Sequence, residues 1–312
     1  MAVYTSITSK ELNNWIKRFN LKDFIDFKGI SSGVTNSNYL IHMSNTKYIL
    51  TIFEQNKINE LPFYVDLMIY LTKQNFLCPL PIIGSDGEAL SVLKDKPALM
   101  VSFLEGKEKN IIDAKTCYLV GESLAKLHLA AKNFPKKNNN PRDINWMSKM
   151  YLNLTKFLSL EDKKLIELEI DYQTELIKTE LPEGIIHGDL FQDNVLFLDD
   201  KVSGFIDFYF ACNGKFIYDI AIAINDWCIV KDGKINKLMY IEFLQGYESI
   251  RKLLNNEYDY LNNALRMAAL RFWLSRLEDF HNAKEGEITS IKDPNHFKNI
   301  LLDRQKMENY AN

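Results

Sequence analysis

Runs of apolar residues along the first hundred positions of the chain predict β-strands. Strand-like runs cover Phe24–Ile30, Asn38–Met43 and Lys47–Phe53, and short polar connections join them, which is typical of an antiparallel meander. Two further runs, Glu88–Leu93 and Ala98–Phe103, flank a short polar stretch. The N-terminal part is therefore predicted to be a small antiparallel sheet.

The pattern changes after Gly106, where apolar residues recur at helical spacing. Asp113 is the predicted N-cap of the first long helix. Helical spacing continues to about Lys178 and returns over most of the chain after Tyr218, with a strand, a loop and a hairpin predicted over Ile185–Phe208. The predicted class is α+β and bilobal, with a small antiparallel-sheet N-lobe and a large, mainly helical C-lobe.

Composition and charge exclude several classes of protein. The 312 residues include 41 acidic and 38 basic ones, a net charge of −3 that argues against a nucleic-acid binder. The four cysteines form no C-x-x-C pair, so zinc sites of the usual spacing are not predicted. The N-terminus lacks the features of a signal peptide, and charges interrupt the longest apolar runs, so we expect a cytoplasmic protein with no membrane segment.

One segment of the helical half carries the clearest candidate chemistry. It begins at His187, places Asp189 two residues later and Asn194 five residues after that, and a predicted hairpin then leads to Asp207. This is the spacing of the kinase catalytic loop, H-x-D-x-x-x-x-N, followed by a metal-binding aspartate. The hairpin brings an amide oxygen and a carboxylate side by side, where both can hold Mg²⁺ on nucleotide phosphates. Asp189 is the candidate base for an attacking hydroxyl.

Each of these residues also has an ordinary structural interpretation. A single histidine such as His187 is usually a hydrogen-bonded core residue, and we expect a structural role for it here. Asp189 alone can cap a turn, and Asp207 alone can be a carboxylate at the end of a strand. The hypothesis of a kinase loop therefore depends on order, spacing and hairpin context together.

At these residues the sequence resembles the aminoglycoside-phosphotransferase and choline-kinase superfamily, small-molecule kinases with a protein-kinase-like fold. Within it, the chain is similar to the homoserine kinases of bacterial threonine biosynthesis. The similar segments are GVTNSNYLI, YILTIFE, LPFYVDLM, CPLPI, HGDLFQDNVLF, IDFYFACN and ALRFWLSRL, which run from Gly33 to Leu277. The catalytic-loop segment is diagnostic only of the superfamily. The last two segments, IDFYFACN and ALRFWLSRL, narrow the resemblance to the homoserine kinases.

The resemblance implies ATP-dependent phosphorylation of the side-chain hydroxyl of L-homoserine, which gives O-phospho-L-homoserine. It implies that Asp189 is the base and that Asn194 and Asp207 bind Mg²⁺. Residues 1–103 would form a nucleotide-binding lobe, and residues 104–312 would form a helical lobe with the catalytic loop and the substrate site.

Two further implied roles concern hydrogen bonds with the backbone. Ser102, Phe103 and Leu104 would form the hinge that holds the adenine through backbone groups. Asp219 would brace the catalytic loop, with His187 as structural support. A simple helix N-cap is the alternative interpretation of Asp219.

The sequence departs from the wider kinase pattern in the predicted N-lobe. The loop before the second strand contains Gly33 but no G-x-G-x-x-G. Gly33, Asn36 and Ser37 are the predicted nucleotide contacts, and Asn38 is a predicted substrate contact. The third strand carries Thr51 where a kinase strand has its phosphate-pairing lysine.

Two arginines lie on the apolar predicted helix Ala264–Phe280, where a guanidinium needs an anion. Either Arg271 and Arg276 make internal salt bridges, for example with Asp226, Glu278 or Asp279, or one of them binds the substrate carboxylate. Five residues apart, they point about 140° away from each other around a helix, so a shared clamp is not the simplest arrangement.

Two other features have structural interpretations. The polar, proline-flanked stretch Lys136–Arg142 is predicted to be a surface loop. His128 lies near the apolar face of a predicted helix without a second ligand at metal spacing, so we expect a core or boundary histidine.

The leading hypothesis is thus a kinase that binds ATP, Mg²⁺ and an amino acid, as a monomer or homodimer, with no nucleic-acid or membrane partner. The alternatives are a kinase of another small metabolite, such as choline, methylthioribose or an aminoglycoside, and an inactive nucleotide-binding scaffold. Thr51 is the feature that favours the scaffold, whereas Asp189, Asn194 and Asp207 argue against it.

Overall fold

A computed structural model describes residues 5–30, 36–176, 178–282 and 292–307 of the chain. Their internal contacts divide them into two units. Apart from the gaps just given, the first unit comprises residues 5–105 and 204–209, and the second comprises residues 106–203, 210–282 and 292–307.

The first unit includes a short segment from late in the chain. Gly204–Tyr209 belongs to it because the Phe205 N–H donates to the Leu77 carbonyl over 3.1 Å and the Tyr209 ring packs edge-on against Phe53, with centroids 4.8 Å apart. The boundary predicted at residue 103 places all later residues in the helical lobe. The internal contacts instead group residues 204–209, which include Asp207, with the N-terminal residues.

The first unit is built around one antiparallel sheet. Its elements are α1 (Ser9–Ile16), β1 (Phe24–Gly29), β2 (Ser37–Met43), β3 (Lys47–Ile52), α2 (Pro62–Lys73), β4 (Leu90–Leu93) and β5 (Lys96–Ser102). The strand order is β1-β2-β3-β5-β4. Alternate residues of β2 are buried, and Ile41 and Leu50 of the sheet form a core with Leu12 and Ile16 of α1.

The hairpin between β4 and β5 is tighter than predicted. Lys94 and Asp95 both have positive φ, 55° and 60°, so they form a two-residue turn of the type that matches the twist of the strands. The strand therefore begins at Lys96, and the prediction that it begins at Ala98 is wrong by two residues.

The second unit is mainly helical. Its elements are α3 (Ala114–Ala130), α4 (Ile144–Leu154), α5 (Leu160–Leu176), β6 (Glu183–Ile186), β7 (Val195–Leu198), β8 (Lys201–Phe205, whose last two residues are grouped with the first unit), β9 (Cys212–Lys215), α6 (Phe216–Trp227), α7 (Lys237–Glu248), α8 (Asn255–His281) and α9 (Asn295–Lys306). Strand β6 pairs antiparallel with β9, and β7 pairs with β8. The predicted α+β class, with an antiparallel-sheet N-terminal part and a helical C-terminal part, is confirmed.

Close helix packing in the second unit depends on two glycines. A Cβ at Gly121 of α3 would lie 2.1 Å from the Phe243 carbonyl oxygen of α7, and one at Gly246 would lie 2.0 Å from the Tyr118 oxygen. Any side chain at either position would force α3 and α7 apart. Asp113 caps α3 as predicted, accepting a hydrogen bond from the Thr116 N–H over 2.7 Å.

Helix α8 is longer than predicted. It begins at Asn255 rather than at Ala264 because buried Glu257, Tyr260 and Leu261 extend its packed face by two turns.

Among the described residues, each helix is too short or too polar to span a bilayer.

Candidate active site

The catalytic-loop segment leaves the sheet strand β6 through a glycine that no other residue can replace without strain. Gly188 has a φ of +75°, and a Cβ there would lie 2.7 Å from the Phe210 carbonyl oxygen. This left-handed turn separates buried His187 from Asp189, whose side chain keeps 17% of its accessible surface. The turn therefore brings a carboxylate to the surface directly after a buried strand.

Asp219 of α6 holds this turn. Its two carboxylate oxygens accept hydrogen bonds from the His187 N–H (2.7 Å) and the Gly188 N–H (2.8 Å). Asp219 is fully buried; although burial opposes ionisation, hydrogen bonds from His128 and Gly188 hold the pKa of Asp219 below its usual value. The alternative interpretation as a helix N-cap is wrong, since Lys215 occupies that position of α6.

His128 lies one layer behind this contact. Its Nε2 is 3.1 Å from an Asp219 oxygen, its Nδ1 is 2.7 Å from the Tyr247 hydroxyl, and its ring stacks on Phe216 with centroids 4.4 Å apart. Burial lowers the pKa of His128, so the neutral imidazole donates to Asp219 and accepts from Tyr247. The expected core histidine is indeed buried, but its contact with the loop support had no signal in the sequence.

Asp189 is in contact with one of the two predicted arginines. The Arg271 Nη1 donates to Asp189 Oδ1 over 3.3 Å, and the Asn194 side-chain amide donates to the Asp189 carbonyl over 2.8 Å. Burial raises the pKa of Asp189, and the Arg271 charge opposes this shift. The fold thus brings together three residues that the sequence singled out from segments 82 residues apart.

Asn194 and Asp207 stand at the two ends of the β7–β8 hairpin segment. The hairpin turns through Asp199 and Asp200, both with positive φ (47° and 60°), as a two-residue loop should. Because the Asn194 amide nitrogen bonds to Asp189, its Oδ1 is directed elsewhere, and no residue of the described chain donates to it. Asp207 has a φ of +63°, a strained backbone conformation that functional sites often retain.

A small pocket lies beside the catalytic loop in the second unit. Its lining combines charged Arg142 and Arg271, polar Asn140 and Tyr218, the Gly188 turn, and apolar Ile186, Phe210 and Cys212. Both guanidinium groups lie over the Phe210 ring, at 5.9 Å for Arg142 and 5.3 Å for Arg271. The pocket therefore presents two positive charges next to the loop that carries Asp189.

Arg142 corrects the prediction for its segment. Most of Lys136–Arg142 is exposed, as a surface loop should be, but Arg142 itself is half-buried because it stacks on Trp146, 4.3 Å from the ring centre. Burial and the nearby Arg271 charge lower the pKa of Arg142. Sequence reasoning missed this residue because nothing local distinguishes it from a solvated loop arginine.

Arg276 takes no part in the pocket lining. Its guanidinium lies 5.7 Å from the Phe297 ring centre, and within the described ranges it has no ion pair or hydrogen bond. Of the expected partners, Glu278 lies 4.0 Å from Arg142, and Asp226 accepts from the Gln192 N–H.

The predicted contacts of the first unit are turned toward its own sheet. Gly33 lies outside the described residues. Asn36 Oδ1 accepts from the Glu54 N–H over 3.4 Å. The Ser37 hydroxyl is fully buried, donates to Glu54 over 2.5 Å and accepts from the Thr5 N–H, so its placement does not support the predicted side-chain contact with a nucleotide.

Thr51, at the lysine position, is part of a neutral pair. Its hydroxyl donates to Asn38 Oδ1 over 2.8 Å across β2 and β3, and it is buried. The nearby Lys47 is 3.7 Å from Glu105 at the strand end. The structure thus replaces the usual lysine with a hydrogen-bonded polar cluster, and Asn38 is occupied within it.

The predicted hinge, Ser102 to Leu104, contains both hydrogen-bonded and unbonded backbone groups. The Ser102 N–H and Oγ are both bonded to Leu80, and the Phe103 N–H donates to the Lys47 carbonyl. The Leu104 N–H and carbonyl make no hydrogen bond in the described part of the chain. Within the predicted hinge, Leu104 is therefore the residue whose backbone N–H and carbonyl are free to bond a nucleotide base.

Comparison with known proteins places this architecture in a family. The model of the phosphotransferase enzyme family matches residues 26–253. The homoserine kinase of Neisseria meningitidis serogroup B is 43% identical over 97% of this chain and 99% of its own length. The homoserine kinase of Methylobacillus flagellatus is 39% identical over 96% and 94%.

Solved structures share the fold at low identity. The amicoumacin kinase in complex with AMP-PNP, Ca²⁺ and Ami matches with a TM-score of 0.72 and 14% identity, covering 96% of this chain and 92% of its own. A spectinomycin phosphotransferase in complex with ADP and spectinomycin matches with a TM-score of 0.70 and 12% identity, covering 97% and 99%. The predicted protein-kinase-like fold and the predicted superfamily are confirmed.

Proposed function

The chain belongs to the homoserine kinases of the phosphotransferase enzyme family, and we propose from this membership that it transfers the γ-phosphoryl group of ATP to the side-chain hydroxyl of L-homoserine. The product is O-phospho-L-homoserine, an intermediate of threonine biosynthesis. The observation that carries this proposal is the position of Asp189, on a braced turn beside a pocket lined by two arginines. A cytoplasmic location and a monomeric or homodimeric state remain predictions.

Asp189 is the proposed catalytic base. Proton transfer from the substrate hydroxyl to a carboxylate needs hydrogen-bond reach and an ionised acceptor. Burial raises the pKa of Asp189, and the Arg271 charge opposes this shift and favours the ionised form. The bonds from His187 and Gly188 to Asp219 fix the turn that presents it.

Asn194 and Asp207 are the proposed holders of the divalent ion. Their amide and carboxylate oxygens are the hard donors that Mg²⁺ prefers, and Mg²⁺ in such sites takes few protein ligands because phosphates and water complete its shell. The Asn194 Oδ1, which has no donor among the described residues, fits this role. When bound, the ion neutralises charge on the nucleotide phosphates. The AMP-PNP and Ca²⁺ of the amicoumacin kinase complex support a nucleotide with a divalent cation.

The nucleotide contacts are proposed mainly from backbone groups. The unbonded Leu104 N–H suits an adenine nitrogen, with Ser102 and Phe103 forming the segment that positions it. Asn36, next to the loop of Gly33, is the remaining side-chain candidate near the phosphates. Thr51 supplies no charge, so the lysine of other kinases has no direct substitute at this position.

The substrate assignment is tested by an assay of ADP release with homoserine, choline, methylthioribose, kanamycin and serine as acceptors. We expect homoserine to be the preferred acceptor. If the wild-type protein releases no ADP with homoserine above the rate of ATP hydrolysis alone, the proposed function is wrong.

The role of Asp189 is tested by Asp189→Asn, which keeps the shape of the side chain but removes the base. Turnover should fall by about 10²- to 10⁴-fold, while ATP binding measured by calorimetry is retained. Turnover within a few-fold of the wild type would remove Asp189 from the mechanism. The surface variant Asp86→Asn, which loses only an exposed pair with Arg18, is the matched control.

A further inference from the structure

Three side chains of the pocket beside the catalytic loop have unused hydrogen-bond donors. A guanidinium carries five N–H groups. Arg271 uses one of them, on Asp189, whereas the carboxylate paired with Arg142, Glu278, lies 4.0 Å away and the charges of Asp279 and Asp189 act on it from farther off. The Tyr218 hydroxyl is buried and has no hydrogen-bond partner among the described residues.

This arrangement is costly unless the pocket receives an anion. The two guanidinium groups lie over the same Phe210 ring and repel each other; Arg271 is buried, and Arg142 is half-buried. A buried hydroxyl without a partner also destabilises a fold. One anionic acceptor would compensate both arginines and the hydroxyl at the same time.

The chemistry of the lining favours a carboxylate as that anion. Arginine binds a carboxylate through two parallel charge-assisted hydrogen bonds. The lining contains two arginines and no acidic residue, so it offers a counter-charge to a carboxylate, a group that choline and aminoglycosides lack.

We propose that Arg142, Arg271 and Tyr218 form the carboxylate-recognition site of the substrate and thereby select hydroxylated amino acids over amino alcohols. This inference rests on the proposed function, because it places the substrate carboxylate beside the base Asp189. It adds two residues, Arg142 and Tyr218, that neither the sequence pattern nor the family resemblance assigned.

The first test compares two acceptors that differ only in the carboxylate. L-Homoserine and 3-aminopropan-1-ol share the amine and the hydroxyl, and the second lacks the carboxylate. Arg142→Met should lower kcat/KM for homoserine by about 10- to 100-fold, mainly through KM, as expected for the loss of a charged hydrogen bond. The variant should change kcat/KM for 3-aminopropan-1-ol by less than threefold and leave the KM for ATP unchanged.

The control for this test is Arg18→Met. Arg18 also lies over an aromatic ring, Phe19 at 5.0 Å, and pairs with a surface carboxylate, but it belongs to the first unit and not to the pocket. It should leave both acceptors unaffected. If Arg142→Met lowers kcat/KM equally for the two acceptors, Arg142 serves the transferred phosphoryl group or the fold, and the proposal is wrong.

The second test uses the unpartnered hydroxyl. Tyr218→Phe should raise the KM for homoserine about 5- to 10-fold while the melting temperature of the free protein stays equal or rises, because an unpaired buried group is removed. A structural role would lower the melting temperature instead. Should Arg142→Met fail to fold, Tyr218→Phe and Arg142→Lys decide the question, the lysine variant giving partial affinity because it supplies charge without the fork.

A binding experiment separates this inference from the proposed function. L-2-Aminobutyrate keeps the carboxylate and amine of homoserine but has no hydroxyl to phosphorylate. Calorimetry should show binding to the wild-type protein and a loss of about 10-fold or more in Arg142→Met, whether or not homoserine is phosphorylated. Equal affinity of the two proteins for L-2-aminobutyrate would contradict the carboxylate site even if the kinase activity is found.

Discussion

The two ends of the catalytic loop are held by two aspartates of the same helix, and the two carboxyl groups differ in charge state. Asp219 accepts from the N–H groups of His187 and Gly188, whereas Asp226 accepts from the Gln192 N–H over 2.7 Å. Seven residues apart on α6, they lie on one helix face. The pKa of Asp219 is lowered, and burial raises the pKa of Asp226 to about 7.

The difference follows from the number of donors around each carboxyl group. Asp219 has two backbone N–H donors and the His128 imidazole, which together outweigh the cost of burying its charge. Asp226 has one backbone donor, and burial therefore dominates. The end of the loop next to Asp189 is thus held by a carboxyl group whose pKa is lowered, and the far end by one whose pKa burial raises to about 7. We infer that the ionised end positions the reacting carboxylate.

The largest expected effect comes from Asp219→Asn. The amide offers only one acceptor oxygen, so at least one buried N–H of the loop or of His128 loses its partner. We expect the free energy of unfolding to fall by about 3 kcal/mol and kcat to fall by about 100-fold, with a smaller change in the KM for ATP. Chemical denaturation and steady-state kinetics check both. A variant with wild-type kcat would show that the loop keeps its position without this carboxylate.

Replacement of His128 tests whether the support extends one layer further. His128→Gln keeps a donor that can reach Asp219, whereas His128→Leu removes it. We expect a loss of about 1–2 kcal/mol of stability for the leucine variant and less for glutamine, with kcat reduced by about 10-fold and a few-fold respectively. His42→Leu, in a half-exposed position of β2, is the control and should leave kcat unchanged. Equal kcat values in the two His128 variants would contradict a role for the hydrogen bond.

Asp226→Asn should produce a smaller effect that depends on pH. The folded pKa of Asp226 is raised above the usual value of about 4, so the stability it contributes is present below pH 4 and is lost as pH rises through about 7. The stability of the asparagine variant relative to the wild type should therefore improve between about pH 4 and pH 7, by at most about 1.4 kcal/mol per pH unit, and level off above pH 7. Thermal unfolding of both proteins across this range measures it, and a constant difference would rule out an unusual titration.

The comparison also shows which parts of the site the sequence could predict. Asp189, Asn194 and Asp207 are local in sequence, so their spacing and the hairpin between them were sufficient to propose roles. The contact between His128 and Asp219 joins residues 91 positions apart, and no pattern in either segment carries it. Arg142 was assigned to a surface loop because burial by Trp146 depends on how helix α4 packs, which a polar, proline-flanked stretch does not encode.

The types of several elements were predictable because they too depend on residues close together in the sequence. The strand predicted over Asn38–Met43 and the cap at Asp113 are set by neighbouring residues, and both predictions agree with the structure. The starts of β5 and α8 depended on a two-residue turn and on tertiary burial, and both boundaries were misplaced. In the first unit, Ser37 and Asn38 were predicted to contact ligands. Nothing in the sequence indicated that Ser37 bonds Glu54, just beyond β3, or that Asn38 bonds Thr51 within β3.

The smallest expected effect comes from Thr51→Val. This substitution disrupts the neutral hydrogen bond between Thr51 and Asn38 in the first unit, in contrast to the aspartates that hold the catalytic loop. The substitution keeps the β-branched shape and removes the hydroxyl that donates to Asn38. Because one neutral hydrogen bond is lost and its partner Asn38 is half-buried, we expect a loss of about 1 kcal/mol in the free energy of unfolding. The KM for ATP should stay within threefold of the wild type, since no charge near the phosphates is removed. A tenfold rise in the KM for ATP without loss of stability would instead show that the Thr51 hydroxyl contacts the nucleotide, and the neutral cluster would then belong to the active site rather than to the sheet.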